Sequence, residues 1–297
     1  MKKLIFEGAG VALVTPFKGE NAEQVDYDKL SEMIEFQIAN KVDCIVICAT
    51  TGEAATMPDE EHLAVAEFTV KEVHGRVPVV VGTGSNDTLH AIKLSKRAEK
   101  MGADAILTVT PYYNKTTQEG MFRHFSAIAQ SIDIPILLYN VPSRTNLNID
   151  PKTYERLCAI PNINGMKECN MGQMLEVKRR CGDELNIYTG DDDQAFYTAV
   201  AGGHGVISVL ANFAPAYVHD MVMSILKEGD IQKGLRMQIG CIELIRALFC
   251  EVNPMPVKEA MNLVGMNVGK CRMPLCDVSP EHRELIRNEL VKFGAIK

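Results

Sequence analysis

Lys167 stands in the run Ile163-Asn-Gly-Met-Lys-Glu-Cys169, which reads as a strand buried on both faces. An ammonium there is costly unless it is paired or neutral. Desolvation lowers the pKa of a lysine and leaves a free amine, the nucleophile that forms a Schiff base with a carbonyl. Tyr139 ends the preceding apolar run, one strand away, where its hydroxyl can relay protons to and from an imine. Thr50 and Thr51 end another run just before a helix, a place where free N–H groups and hydroxyls can hold a carboxylate. Arg144, in a Pro-bearing loop, offers a planar fork for a second carboxylate. Each has a plainer reading: a surface lysine, a rim tyrosine, threonines that are simply good strand formers, a solvated arginine. Their shared position, at the ends of strand-like runs, makes the chemical reading the stronger one.

The runs recur regularly. Val11-Ala-Leu-Val-Thr, Cys44-Ile-Val-Ile-Cys, Val77-Pro-Val-Val-Val, Ala105-Ile-Leu-Thr-Val, Pro135-Ile-Leu-Leu-Tyr, Ile163-Asn-Gly-Met-Lys, Asn186-Ile-Tyr-Thr-Gly and Gly205-Val-Ile-Ser-Val follow one another at a mean spacing near 28 residues. That interval holds one strand, one helix and two short loops. Leu30, Met33, Ile34 and Ile38 recur at helical spacing between the first two runs, and Leu63, Ala66, Val70 and Val73 between the next two. Thr56-Met-Pro-Asp59 reads as the start of that second helix, with Thr56 as N-cap and Asp59 as the third-position acid of a capping box. Eight such units, with Gly82-Thr-Gly84 lacking the third glycine of a dinucleotide turn, predict a closed (β/α)8 TIM barrel rather than an open doubly wound sheet. Further helices are expected at about 214–227, 230–250, 255–264 and 280–294. The chain therefore divides into a barrel over residues 1–228 and a C-terminal helical extension over 229–297.

Composition narrows the partners. The 297 residues carry 31 Lys+Arg against 38 Asp+Glu, a net charge of -7, so the chain has no basic footprint for nucleic acid. The apolar run Leu4–Phe6 is far too short for a signal-peptide core or a membrane span, which predicts a cytoplasmic protein whose partners are small molecules or copies of itself. Nine cysteines, with no Cys-x-x-Cys pair, are expected as reduced, buried thiols and not as metal ligands. Asp191-Asp-Asp193 has no histidine cluster beside it and reads as a helix start with acids in its first turn. No metal and no cofactor is expected.

These residues together resemble the dihydrodipicolinate synthase and N-acetylneuraminate lyase superfamily of pyruvate-dependent lyases, over nearly the whole chain. The motifs are Gly10-Val-Ala-Leu-Val-Thr-Pro-Phe17, Thr50-Thr-Gly-Glu53, Thr108-Val-Thr-Pro-Tyr-Tyr-Asn114, Tyr139-Asn-Val-Pro-Ser-Arg-Thr145, Gly165-Met-Lys-Glu168 and Gly203-His-Gly-Val-Ile-Ser208. Tyr139–Thr145, the pair Tyr112-Tyr113 and Asn253-Pro-Met-Pro-Val-Lys258 look like the dihydrodipicolinate synthase branch. The resemblance implies that Lys167 forms the imine with pyruvate, that Tyr139 and Thr51 relay protons, and that Tyr113 completes the relay from a neighbouring subunit. It implies further that Thr50 and Thr51 hold the pyruvate carboxylate, that Gly190 and Ile207 line the pocket through their backbone, and that Arg144 binds the carboxylate of L-aspartate 4-semialdehyde. The product would lie on the route to diaminopimelate and lysine, and the assembly would be a homotetramer of tight dimers. Cys169 departs from the family's usual alanine.

A sister reading, an aldolase of N-acetylneuraminate or a 2-keto-3-deoxy sugar acid, shares Lys167 and Tyr139 but needs a hydroxyl-reading pocket, which Arg144 disfavours. A third, a non-catalytic keto-acid sensor, does not account for the intact Lys167, Tyr139 and Thr51 set. Many members of the family also bind lysine as a feedback effector, near the residues here numbered 54–62, 86–90 and 112. His62, Asn86 and Tyr112 match that pattern, whereas His90 stands where sensitive members place an acid and Asp59 replaces a histidine. An imidazole cannot stand in for a carboxylate facing a dication, so weak inhibition by lysine is expected.

Overall fold

The computed structural model describes residues 2–297. Eight parallel strands form the barrel: β1 (Gly8–Ala12), β2 (Cys44–Ile47), β3 (Val79–Gly82), β4 (Ala105–Val109), β5 (Ile136–Asn140), β6 (Ile163–Glu168), β7 (Asn186–Thr189) and β8 (Gly205–Ser208). They are hydrogen-bonded in sequence order, and β1 pairs with both β2 and β8 to close the ring. Every residue of β2, β3, β5 and β6 is buried, as expected for a parallel sheet jacketed by helices.

Seven runs coincide with strands to within about two residues. The first does not: β1 is Gly8-Ala-Gly-Val-Ala12, three residues before the β-branched run Val11–Thr15. Glycine has poor strand propensity, and what places it here is closure of the ring. Gly8 lies opposite Gly205, and a Cβ on Gly205 would stand 2.1 Å from the Gly8 carbonyl oxygen, so β1 and β8 meet backbone to backbone.

The outer layer is α1 (Tyr27–Ala39), α2 (Asp59–Val73), α3 (Thr88–Lys100), α4 (Gln118–Ala129), α5 (Pro151–Leu157), α6 (Met174–Cys181), α7 (Ala195–Val200) and α8 (Pro215–Leu226). Leu30, Met33 and Ile34 of α1 and Leu63, Ala66 and Val73 of α2 are buried, on the faces their spacing predicts. The start of α2 is different. Its N-cap is Pro58, which has no side-chain cap to offer, and Thr56 belongs to a preceding turn of 3₁₀ helix in which its hydroxyl donates back to the Glu53 carbonyl. The expected capping box is therefore absent, and the Asp59 carboxylate faces another partner.

Three more helices follow: α9 (Ile231–Leu248), α10 (Met255–Leu263) and α11 (Pro280–Phe293). They are fastened to the loop after β2. Lys258 of α10 pairs with Glu53 at 2.5 Å with both side chains almost wholly buried, and the Arg272 backbone N–H donates to the other Glu53 oxygen at 2.9 Å. The Arg272 guanidinium reaches Glu61 and the carbonyls of Ala22 and Glu23, and the Phe17 ring lies under both cations. Removing one partner of such a buried pair strands a charge and typically costs about 3–5 kcal/mol.

The barrel interior is its own small core, with Val46, Val80, Leu107, Leu137, Tyr188 and Ile207 among its members. At the N-terminal mouth Phe6 stacks on Tyr188, ring centroids 4.3 Å apart, and the Tyr188 hydroxyl donates to the Phe6 carbonyl at 2.7 Å. Free thiols are found at all nine cysteines; five are buried as expected, whereas Cys169, Cys250 and Cys271 are half-buried and Cys276, between α10 and α11, is exposed. No helix of the described residues is long and apolar enough to cross a membrane.

Candidate active site

Lys167 is the fifth residue of β6 and points into the barrel between Tyr139 of β5 and Tyr188 of β7, its in-register neighbours. It is only 4% exposed, and its amine makes no hydrogen bond or ion pair with the described residues. Burial lowers its pKa, opposed by the charges of Cys169, Asp191 and Asp192 and reinforced by Arg144. The Lys167 nitrogen lies 4.6 Å from the centroid of the Tyr139 ring.

Gly190, just beyond β7, is where the lysine stem passes the end of the neighbouring strand. A Cβ there would stand 2.7 Å from Lys167 Cε and 2.5 Å from Cys169 Sγ. Ile207 of β8 is fully buried in the interior cluster. Asp191 and Asp192 follow Gly190 and open α7 through a 3₁₀ turn, as their acidity predicted, but they are not solvated helix-start acids. Asp192 is buried and accepts from the Ser208 hydroxyl and from the backbone N–H groups of Val209 and Leu210. Burial lifts the Asp191 carboxyl to about 6, with the Cys169 thiol as its hydrogen-bonding neighbour.

The two threonines part company. Burial pushes the Tyr139 hydroxyl well above the usual phenol range, and Thr50 is the threonine that opposes that rise. The Thr51 hydroxyl is buried and accepts from Asn253 Nδ2 at 2.9 Å, turned away from the phenol. Within this chain Thr50 is therefore the threonine beside the Tyr139 hydroxyl, and Thr51 faces Asn253. The cause is local: β2 ends at Ile47 and Cys48 takes a left-handed conformation at φ 55°, so the alternation of a strand no longer governs which side chain faces inward. Arg144 rides on one helical turn, Pro142–Thr145, and its Nη2 donates to the Asn253 carbonyl at 3.1 Å.

A cavity of about 490 Å³ opens beside these groups, with Thr50, Tyr139 and Arg144 on one side and Asp59, His62, His90 and Tyr112 on another. Lys167, Gly190 and Ile207 are not part of its wall, and Asn86 is also outside it. Tyr113 takes no part in the site within one chain: its backbone is left-handed at φ 65° and its side chain is 90% exposed. On the far wall, His62 Nε2 bonds to the Gly82 carbonyl at 2.8 Å, and burial lowers its pKa, keeping the ring neutral. His90 spans Ser85 at 3.1 Å and Asp59 at 3.0 Å, and the Lys93 ammonium lies 3.7 Å from the Asp59 carboxylate. Among the described residues, no group of three or more His, Cys, Asp or Glu could hold a metal ion.

The model of the dihydrodipicolinate synthetase family matches residues 5–292. The chain belongs to that family. The 4-hydroxy-tetrahydrodipicolinate synthase of Acetivibrio thermocellus is 54% identical over 296 residues, covering the whole of both chains. Among solved members of the dihydrodipicolinate synthase family, that from Aquifex aeolicus matches with a TM-score of 0.94 at 41% identity, over 98% of this chain and 99% of that one. The Cyanidioschyzon merolae enzyme, solved with lysine bound, matches with a TM-score of 0.96 at 34% identity, over 99% of this chain and 100% of that one.

Two features of the site had no role in the sequence reading. Asn253 stood in a recognisable motif, yet nothing in the sequence joins it to Thr51, 202 residues away. Glu168, next to Lys167, points out of the barrel, where it accepts from Asn140 Nδ2 at 2.7 Å, Asn170 N at 2.7 Å, Tyr154 Oη at 3.1 Å and Gln173 Nε2 at 3.0 Å. Its only sequence signal was a carboxylate inside a buried strand.

Proposed function

We propose that the chain condenses pyruvate with L-aspartate 4-semialdehyde through an imine on Lys167, the 4-hydroxy-tetrahydrodipicolinate synthase reaction of diaminopimelate and lysine biosynthesis. The observation that carries this reading is a buried Lys167 amine with no hydrogen bond or ion pair to the described residues, in register with Tyr139. A neutral amine attacks C2 of pyruvate, and loss of water leaves the imine. Removal of a C3 proton gives the enamine, whose C3 attacks the aldehyde carbon of the second substrate. The amino group of that substrate then closes on C2 and displaces Lys167, which returns as a free amine. No redox partner or metal enters the balance.

Tyr139 and Thr50 serve as the proton relay, and Thr51 with the start of the following turn holds the pyruvate carboxylate. Gly190 and Ile207 line the floor, and Arg144 takes the carboxylate of the semialdehyde. Tyr113, exposed within a single chain, completes the relay from a second copy across a tight dimer; two such dimers form the homotetramer that the resemblance implies, and the cytoplasm is its setting. Residues 1–228 supply the reacting groups, and residues 229–297 brace the loop after β2.

Borohydride reduction in the presence of pyruvate should attach the reduced adduct to Lys167, located by peptide mass. Unmodified protein would refute the imine. Turnover of pyruvate plus semialdehyde, compared with cleavage of N-acetylneuraminate and 2-keto-3-deoxy sugar acids, separates the synthase from the sister aldolases; preferred sugar-acid cleavage would overturn the assignment.

A further inference from the structure

The Thr51 hydroxyl, next to the cavity-lining Thr50, is held from one side. Its one hydrogen bond among the described residues is accepted, from Asn253 Nδ2 at 2.9 Å, in a contact buried from solvent. A hydroxyl carries one proton and two lone pairs, and with a lone pair taken by the amide its proton is left to donate. No described protein acceptor receives that proton. The same residue fixes the other anion-binding group, since the Asn253 carbonyl accepts from Arg144 Nη2 at 3.1 Å.

Asn253 lies just before α10 in the extension, and its neighbours hold the loop from the other side. Lys258 grips Glu53, Arg272 N–H donates to the same carboxylate, and Thr15 Oγ1 donates to the Gly52 carbonyl at 2.7 Å. The chain that follows Thr51 is thus held at Gly52 and Glu53, and Asn253 adds a hold on the Thr51 hydroxyl itself.

We propose that Asn253 is a positioning residue for both carboxylate subsites. Its side-chain amide holds the Thr51 hydroxyl as an acceptor, so that its proton points at the carboxylate of the keto acid, and its carbonyl holds Arg144 in place for the carboxylate of the second substrate. The inference rests on the keto-acid reading of Lys167 given above. It differs from a packing role because it requires a direction: Asn253 must donate to Thr51. An amide does so and a carboxylate cannot.

The test uses pyruvate alone, read as the concentration giving half-maximal borohydride trapping on Lys167. Trapping in the unaltered enzyme establishes the imine independently, and its absence would refute the keto-acid reading without bearing on Asn253. Asn253→Asp is nearly the same shape, but its carboxylate takes the Thr51 proton; half-trapping should move to at least tenfold higher pyruvate at neutral pH. Asn253→Ala should shift it by about fivefold. The Thr51→Val and Asn253→Ala/Thr51→Val variants should then have the same half-trapping concentration, because a residue acting through Thr51 has nothing left to orient. Steady-state assays should show the KM for the semialdehyde rising in Asn253→Ala through the loosened Arg144. An Asn253→Asp enzyme with unaltered half-trapping would overturn the proposal, as would fully multiplicative losses in the double variant. Circular dichroism of each variant identifies a misfolded protein; should Asn253→Ala be one, the Asp variant decides the outcome.

Discussion

The Tyr139 ring lies against the Lys167 amine, 4.6 Å from centroid to nitrogen, because the two residues are paired in register across β5 and β6. The phenol is thereby carried by the strand next to the nucleophile, with Thr50 on its other side. Tyr139→Phe keeps the ring and loses only the hydroxyl. Trapping of pyruvate on Lys167 should persist while kcat falls by about 10²-fold or more, the usual range for a general acid-base group. A loss below threefold would reduce Tyr139 to packing.

Gly190 leaves room for the lysine stem, and a methyl group there would press on Lys167 Cε at 2.7 Å. The stem must move aside by a sizeable fraction of an ångström. Gly190→Ala should lower kcat/KM by roughly 10²-fold, as misplacement of a reacting group on that scale does, with the melting temperature little changed. Wild-type kcat/KM in this variant would show that the amine does not need its observed path.

The acid limb of imine formation follows the Lys167 ammonium, since only the neutral amine attacks. Burial lowers that pKa and the nearby Asp191 carboxylate raises it. Asp191→Asn removes the raising charge, so the limb should move to lower pH. Trapping rates measured from pH 5 to 9 in both proteins give the answer; a limb moved to higher pH, or not at all, contradicts the electrostatic account.

Glu168 carries a stability signature. Burial raises its carboxyl to about 7 against four hydrogen-bond donors, above its ordinary value of 4.5. Between these pH values the folded chain retains a proton that the unfolded chain has released, so this group's contribution is full below pH 4.5 and is lost as the pH rises through about 7. Glu168→Gln should flatten that part of the stability profile and cost little near pH 5. Urea unfolding of the two proteins at several pH values measures it, and identical slopes would refute it.

Lysine should inhibit weakly. The Asp59 carboxylate is the one acid facing His62 and Tyr112 across the cavity, and it is engaged by His90 and Lys93, which hold its pKa below the ordinary value. A ligand ammonium would have to displace them. Steady-state titration at neutral pH should show little effect, and strong saturable inhibition at submillimolar L-lysine would show that this wall accepts a cation after all.

The barrel was legible because its signals are repeated: eight apolar runs, each followed by a helix, leave few folds open. The lysine and tyrosine were legible for a related reason, since a charge inside a buried strand calls for an explanation. The errors fall where chain geometry departs from a period. Counting cannot tell which of Thr50 and Thr51 faces Tyr139 once Cys48 has turned left-handed. Thr56 has a capping residue's chemistry, but its hydroxyl is spent on Glu53 in a turn the sequence does not announce. β1 was hidden in glycines, whose value lies in the contact between Gly8 and Gly205 and not in any local propensity. Long-range pairs such as Thr51 with Asn253 and Glu53 with Lys258 belong to tertiary packing alone.

The stacked rings of Phe6 and Tyr188, tied by a hydrogen bond, stop the N-terminal end of the barrel below Lys167. A tube stopped at one end has a single doorway. On the proposed reaction the small keto acid, which must reach the Lys167 amine near the C-terminal end of β6, enters first, and the semialdehyde comes to rest above it. Reversing that order would cork the passage, so initial rates should rise hyperbolically with pyruvate, whereas excess semialdehyde should inhibit as a dead-end competitor of pyruvate.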